Sequence, residues 1–168
     1  MTSIENPIKI TEGRIFRKTQ NVRFLDVSVE NSNGIDLVEH FGRSISPPNL
    51  SCGFKQWYCH RNQTDNNRVI RGHRLFELFN LSWKRPHWYV FLDKDVGALE
   101  IPPGCYHRSV SGLSGSLLIN HAVRNENYNE AKEFNPQVIW KPALYTPHYF
   151  NTNPSEADFF INHGHTKN

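Results

Sequence analysis

Trp57-Tyr58-Cys59-His60-Arg61-Asn62-Gln63-Thr64-Asp65, followed by Gly72, is the stretch whose reading decides the fold. A second stretch answers it: Gly97-Ala98-Leu99-Glu100-Ile101-Pro102-Pro103-Gly104-Cys105-Tyr106-His107. Each sets a histidine beside short β-forming runs, and each carries a turn signal. Pro102-Pro103-Gly104 is the sharpest turn in the chain, because two prolines fix φ and Gly104 supplies the freedom needed next. The strand that follows delivers His107 inward. Tyr58 and His60 are two apart, so on a strand they share a face with Gln56 and Phe54. The two stretches are expected to line one cavity.

Outward from these stretches, strand signals recur at short intervals. Ile8-Lys9-Ile10 suggests a strand in an N-terminal arm. From Asn21, Leu25, Val27 and Val29 alternate with polar residues, the period of a half-buried strand. Asn33-Gly34 reads as a turn. Ile35 to Phe41 suits a strand or a short helix, and Gly42 to Pro48 a loop. Phe54 to His60, Val69-Ile70, Leu75 to Leu81, His87 to Leu92, Ala98 to Ile101 and Ser116 to Ala122 read as separate strands. The Gly72 turn favours strand over helix for Leu75 to Leu81. Asn127 to Phe134 reads as a short helix with Glu130, Lys132 and Glu133 exposed. Ile139-Trp140 reads as an edge strand. From Lys141, Pro142, Pro147 and Pro154 with several aromatics suggest an extended tail, frayed from Asn162. Many short strands without a long amphipathic helix predict an all-β sandwich or jelly-roll barrel.

The chain has 168 residues, 38% hydrophobic, 12% aromatic and 21% charged, which suits one globular domain. We read 1–20 as an arm, 21–140 as the barrel and 141–168 as the tail. The net charge is +3 and the pI about 8.8, but Lys and Arg are scattered, so no nucleic-acid-binding stripe is expected. Cys52, Cys59 and Cys105 are odd in number and form no C-x-x-C pair. Reduced thiols in a cytoplasmic protein are expected. The longest apolar run, Trp88 to Leu92, is too short to cross a membrane.

The two stretches resemble the cupin superfamily, whose motifs are H-x-H-(x)3–4-E-(x)6-G and G-(x)5-P-x-G-x-x-H. Here the first motif would be Tyr58-x-His60-(x)4-Asp65-(x)6-Gly72, with Tyr in place of the first His and Asp in place of Glu. The second would be Gly97-(x)4-Pro102-x-Gly104-x-x-His107, one residue short. The resemblance spans roughly 50–122 and implies an RmlC-like jelly roll with a cavity between its sheets. The pattern from Ile101 to Tyr128, with Asn127, Tyr128, Asn129 and Glu130, is most similar to the 3,4-ketoisomerases of nucleotide-linked 4-keto-6-deoxysugars. It implies metal-free chemistry in which histidines at the H-x-H positions shuttle protons. It also implies a homodimer, with the arm before Asn21 as the segment to exchange.

Three functions follow. In the first, a sugar isomerase or epimerase, His60 is the base, Tyr58 the proton donor or orienting group, and His107 a second polar contact. Gln56 shares their face, Arg61, Arg71 or Arg74 would meet a diphosphate, and Trp57, Trp83 or Trp88 would stack on base or sugar. In the second, His60, Asp65 and His107 hold iron, zinc or manganese for dioxygenase or isomerase chemistry. In the third, the barrel binds a small molecule without catalysis. Cys59 alternates away from Tyr58 and His60, so it is read as core.

Overall fold

The structure, a computed structural model, describes residues 6–163. Its strands are β1 (Lys9–Thr11), β2 (Arg14–Lys18), β3 (Arg23–Asp26), β4 (Gly34–His40), β5 (Ile45–Ser46), β6 (Gln56–Cys59), β7 (Gln63–Phe79), β8 (His87–Leu92), β9 (Ala98–Ile101), β10 (Tyr106–Arg124), β11 (Gln137–Val138) and β12 (His148–Phe150). Two helices, α1 (Glu130–Glu133) and α2 (Pro154–His163), and a 3₁₀ turn (Lys141–Leu144) complete it. The path β1-β9-β7-β10-β6-β11 forms the main sheet, with β4 and β5 on β10 and β8 on β7; β2 and β3 pair separately. The architecture is all-β, as expected.

The two long strands make the barrel. The first part of β7 pairs with β9 and its second part with β8, while β10 accompanies both. The register slips at two places, between Ser111 and Ser116 of β10, opposite Gly72, and between Leu117 and Leu118, where Ile70 of β7 is left unpaired between Arg71 and Val69. The slips change which residues point inward. Asp65 and Asn67 line the same cavity as Arg74 and Phe76, and His107 and Ser109 line it with Leu118 and Asn120. Strict alternation would send odd and even residues to opposite faces, so each strand must gain an irregularity between its halves. β7 gains it where Ile70 is skipped, and β10 gains it where Gly115 approaches Gly72; Gly42, in the loop between β4 and β5, shares their φ near +70°. A Cβ at Gly72 would lie 2.4 Å from the Gly115 carbonyl, and one at Gly115 would lie 2.1 Å from the His40 carbonyl.

Around that corner the core closes. Val69, Phe76, Leu78, Trp88, Val90, Leu92, Leu99, Ile101 and Leu118 pack between the layers. A second cluster on the outer face joins Leu75 and Val110 to Ala157 and Phe160 of α2. Asn153 starts α2 by accepting the Glu156 N–H at 3.0 Å, and Pro154 needs no donor there.

Several expectations change. The strands foreseen at Val69-Ile70 and Leu75 to Leu81 are one continuous strand, β7, and Gly72 bends it without ending it. Ile35 to Phe41 is strand rather than helix. The left-handed residue before it is Asn31, and Gly34 belongs to β4. β3 stops at Asp26, short of Val27 and Val29, and its partner β2 was not foreseen. The edge strand falls on β11 rather than on Ile139-Trp140. The tail is not extended to its end, because it pairs β12 with β8 and then forms α2. Asn162 and His163 belong to α2; the rest of the foreseen frayed end, 164–168, lies outside the described residues. Glu133, expected in solvent, is buried. The three cysteines are free, and no described helix is long and apolar enough to cross a membrane.

Two outcomes follow from the corner. Gly115→Ala should cost at least about 2 kcal/mol in urea denaturation, since left-handed strain adds to a backbone clash. Gly53→Ala, at φ 87° with nothing within 4 Å, should cost only about 1 kcal/mol. His40 ends β4 with its Nδ1 3.0 Å from Ser111 Oγ, and burial, aided by Arg74, lowers its pKa to about 4. Unfolding therefore takes up a proton between about pH 6.5 and about pH 4. Stability is present above that window and lost as pH falls through it. His40→Gln should flatten the pH dependence of the urea midpoint there.

Candidate active site

Direct hydrogen bonds join the two histidine stretches. His107 pairs in register with Tyr58 and Tyr106 with Cys59, across β10 and β6. The Gly104 N–H donates to the His60 carbonyl at 2.7 Å. Gly104 sits at φ 78°, so the proline turn aims its own amide at the first stretch. The ring centroids of His60 and His107 are 4.9 Å apart, and Tyr58 lies 6.2 and 6.1 Å from them. Phe134, just after α1, packs on His60 at 4.8 Å.

Asp65 is held from one side. Its Oδ1 accepts from Gln63 Nε2 at 2.6 Å and from Asn120 Nδ2 at 2.9 Å. The orientation of both amides follows from their far ends. Gln63 Oε1 accepts from Arg124 Nε, and Asn120 Oδ1 accepts from the Asn66 N–H, so each turns its NH₂ toward Asp65. Arg124 is itself clamped by both oxygens of Asp36. Asp65 Oδ2 remains free, 3.4 Å from His60 Nε2 and 3.6 Å from His107 Nε2.

The histidines are held just as firmly. His60 Nδ1 faces the Glu133 carbonyl at 3.0 Å, and His107 Nδ1 faces the Cys105 carbonyl at 3.2 Å. A carbonyl only accepts, so each Nδ1 carries the proton and each neutral ring presents a lone pair at Nε2. Three acceptors thus converge, with their ligating atoms all within 4.8 Å. Such a set calls for a cation among its members, either a shared proton or a metal ion. Burial lowers the His107 pKa to about 4, with the Asp65 charge opposing the shift. The Glu133 carboxylate anchors α1 by accepting from the Arg61 N–H and Asn62 Nδ2, at 2.6 and 2.8 Å. Burial alone would raise its pKa, but these donors hold it below the usual range.

Not every candidate residue reaches the cavity. Tyr58, His60, Asp65, His107 and Arg74 line it. Arg74 is almost wholly buried, donating to Ser116 Oγ and to the Val38 carbonyl; burial lowers its pKa to about 10, so it stays cationic. Arg71 lies outside, paired with Glu39 in solvent. Gln56 reaches the Pro48 carbonyl and does not line the cavity. The Arg61 side chain is exposed beside the cavity residue His60. Trp83 and Trp88 are core residues, and Trp57 faces a different cavity. Burial raises the pKa of Cys59 and of Cys105, away from thiolate chemistry. Gln63, Asn120, Glu133 and Phe134 were missed. For Gln63 the signal was its place two residues before Asp65 on one strand face; Asn120 and Glu133 arrive from distant sequence and left no local mark.

No protein-family model matches the chain, and no curated protein matches its sequence. Solved structures do. A dTDP sugar isomerase from Desulfovibrio desulfuricans is similar over 83% of this chain and 88% of its own, with a TM-score of 0.56 at 17% identity. A TDP-fucose-3,4-ketoisomerase from Campylobacter jejuni is similar over 84% and 97%, with a TM-score of 0.54 at 12% identity. A 3'-monoepimerase from Streptomyces bikiniensis, in complex with dTDP, is similar over 86% and 79%, with a TM-score of 0.58 at 11% identity. Corner, cavity and strand order together give this chain the RmlC-like cupin fold.

Proposed function

We propose that the chain is an isomerase or epimerase acting on a nucleotide-linked keto-deoxysugar. The observation that carries this reading is the pair of Nδ1-anchored histidines sharing one free carboxylate oxygen inside a barrel. Isomerisation beside a keto group begins when a base breaks the adjacent C–H bond. The electron pair moves into an enediolate, and the proton stays on the base. His60 Nε2 is placed to take that proton, since its ring is fixed and Asp65 Oδ2 would stabilise the imidazolium. His107 would hold or return a proton from the other side of Asp65. Tyr58, whose ring lies against both, is the donor for the enediolate oxygen. Arg74 contributes a fixed positive charge at the cavity wall, where a developing oxyanion is stabilised without solvent rearrangement. Arg61 would meet the diphosphate. The structural neighbours are named as enzymes of this class, which supports the reading. A homodimer fits the exposed apolar side chains along β4, where Ile35 and Leu37 are 70% and 65% exposed.

The same convergence supports a second reading, a metal site. His60, Asp65 and His107 form a two-histidine, one-carboxylate set. The backbone carbonyls on each Nδ1 and the amides on Asp65 Oδ1 are the outer contacts that orient such ligands. Iron, zinc or manganese bound there would supply Lewis-acid or oxygen chemistry.

Two experiments separate these readings. In heavy water, TDP-4-keto-6-deoxyglucose should exchange deuterium into the ring, and His60→Ala should slow the exchange by about 100-fold or more. Tyr58→Phe should reduce turnover more than it weakens TDP binding. Absence of exchange with several keto sugars ends the isomerase reading. For the metal, untagged protein titrated with zinc, iron(II) or manganese should bind about one ion, and His107→Ala should lose it by elemental analysis. Equal binding by wild type and His107→Ala rejects the metal site.

A further inference from the structure

A second buried polar cluster lies on the other face of the same strands. Trp57, Glu77, His87 and Tyr89 alternate with the side chains that line or pack beneath the barrel cavity, so they point outward. They form the floor of a separate cavity of about 270 Å³. Phe54, Val138, Trp140 and Pro142 wall it, with Phe54 and Trp140 meeting edge to face at 4.5 Å. The floor holds one negative charge. Glu77 Oε1 accepts from Lys55, His87 and Tyr89, each at 3.0 Å, and Oε2 accepts from Lys55 at 3.0 Å with Arg108 Nε at 3.8 Å. Burial alone would raise the Glu77 pKa; the hydrogen bonds from His87 and Lys55 and the Lys55 charge hold it below the usual range.

The charge and donor balance of this floor selects a ligand. Lys55 at the lining neutralises Glu77, and Arg108, 3.8 Å from Glu77 but not lining this cavity, adds one positive charge behind the floor, before His87 is counted. Lys55 Nζ has three N–H donors, and Glu77 uses two. The Trp57 indole N–H finds no acceptor among the described residues, although Trp57 is 1% exposed. That N–H has almost no accessible surface and is not reached from the cavity, but Lys55 is half exposed and can turn its third N–H to an acceptor with negative charge. A cationic ligand would meet a carboxylate already neutralised. The apolar walls and the volume suit one or two fused rings rather than a phosphate. We propose that this outer cavity binds a small aromatic carboxylate, with its ring against Phe54 and Trp140 and its carboxylate on Lys55. The site is independent of whatever chemistry the barrel performs.

Calorimetric titration of the full chain tests this with three probes of one shape: indole-3-acetate, indole-3-acetamide and tryptamine. The acid should bind at one site, at least about tenfold tighter than the amide, and the amine should not saturate. Trp140→Ala, at an exposed side chain, should weaken the acid at least about tenfold, and Lys55→Met should bring acid and amide to equal affinity. The proposal is overturned if the amine binds as tightly as the acid. It is overturned too if binding is lost in His107→Ala but kept in Trp140→Ala, which would move the ligand into the barrel. No saturable heat up to about 1 mM acid, from protein with an intact melting curve, overturns it as well.

Discussion

The approach of the Gly72 and Gly115 backbones is the constraint on which the rest depends. At that point β10 changes which residues face inward, with a carbonyl where a Cβ would otherwise sit, and β7 makes its own change just before it, at Ile70. Without the change, Asp65 and Arg74 would point to opposite sides of the sheet, as would His107 and Asn120. The cavity exists because two glycines allow one strand to contribute odd-numbered residues from one half and even-numbered residues from the other. The third glycine, Gly42, admits the turn that brings β4 and β5 onto the two halves of β10.

That geometry makes the polar interior expensive, and the chain resolves the cost in one direction. Asp36, Arg124, Gln63 and Asp65 form a relay of hydrogen bonds. The relay ends by satisfying Asp65 Oδ1 and leaving Oδ2 open. Backbone carbonyls do the same for the two histidines, satisfying Nδ1 and leaving Nε2 open. Burying a lone pair without a partner costs about 1–3 kcal/mol, yet three are left facing one another. The open lone pairs are therefore the strongest structural sign that the cavity handles a proton or a cation.

The sequence revealed the architecture better than the partners. His60 and His107 were legible because a proline turn and a strand period place them, and both are local signals. Tyr58 followed from the same alternation. Arg71 and Arg74 show where local reading fails. The two residues look equivalent beside a glycine, yet they are three apart, and strand alternation turns one to solvent and the other into the barrel. Gln56 shares parity with Tyr58, but β6 is only four residues long and its first side chain already lies past the cavity. Asn120 and Glu133 come from a strand and a helix far along the chain, so only the folded register could supply them. The C-terminal helix was hidden by its prolines, although Asn153-Pro154 is itself a helix-start signal.

Both faces of β6, β7 and β10 carry buried charge, and the two faces treat it oppositely. Inside, acceptors outnumber donors and a cation or proton is missing. Outside, Glu77 is surrounded by donors, and what is missing is an acceptor. The alternation of a strand makes the contrast unavoidable for neighbours such as Trp57 and Tyr58, whose side chains leave the same peptide toward different cavities. An inner set short of a proton suits chemistry on a bound substrate, because the deficit can be met and returned within a catalytic cycle. An outer set short of an acceptor, its single carboxylate already neutralised, has no group left to exchange a proton with a ligand. On the two proposals, the faces of one sheet would divide reaction from recognition by the sign of what each leaves unsatisfied.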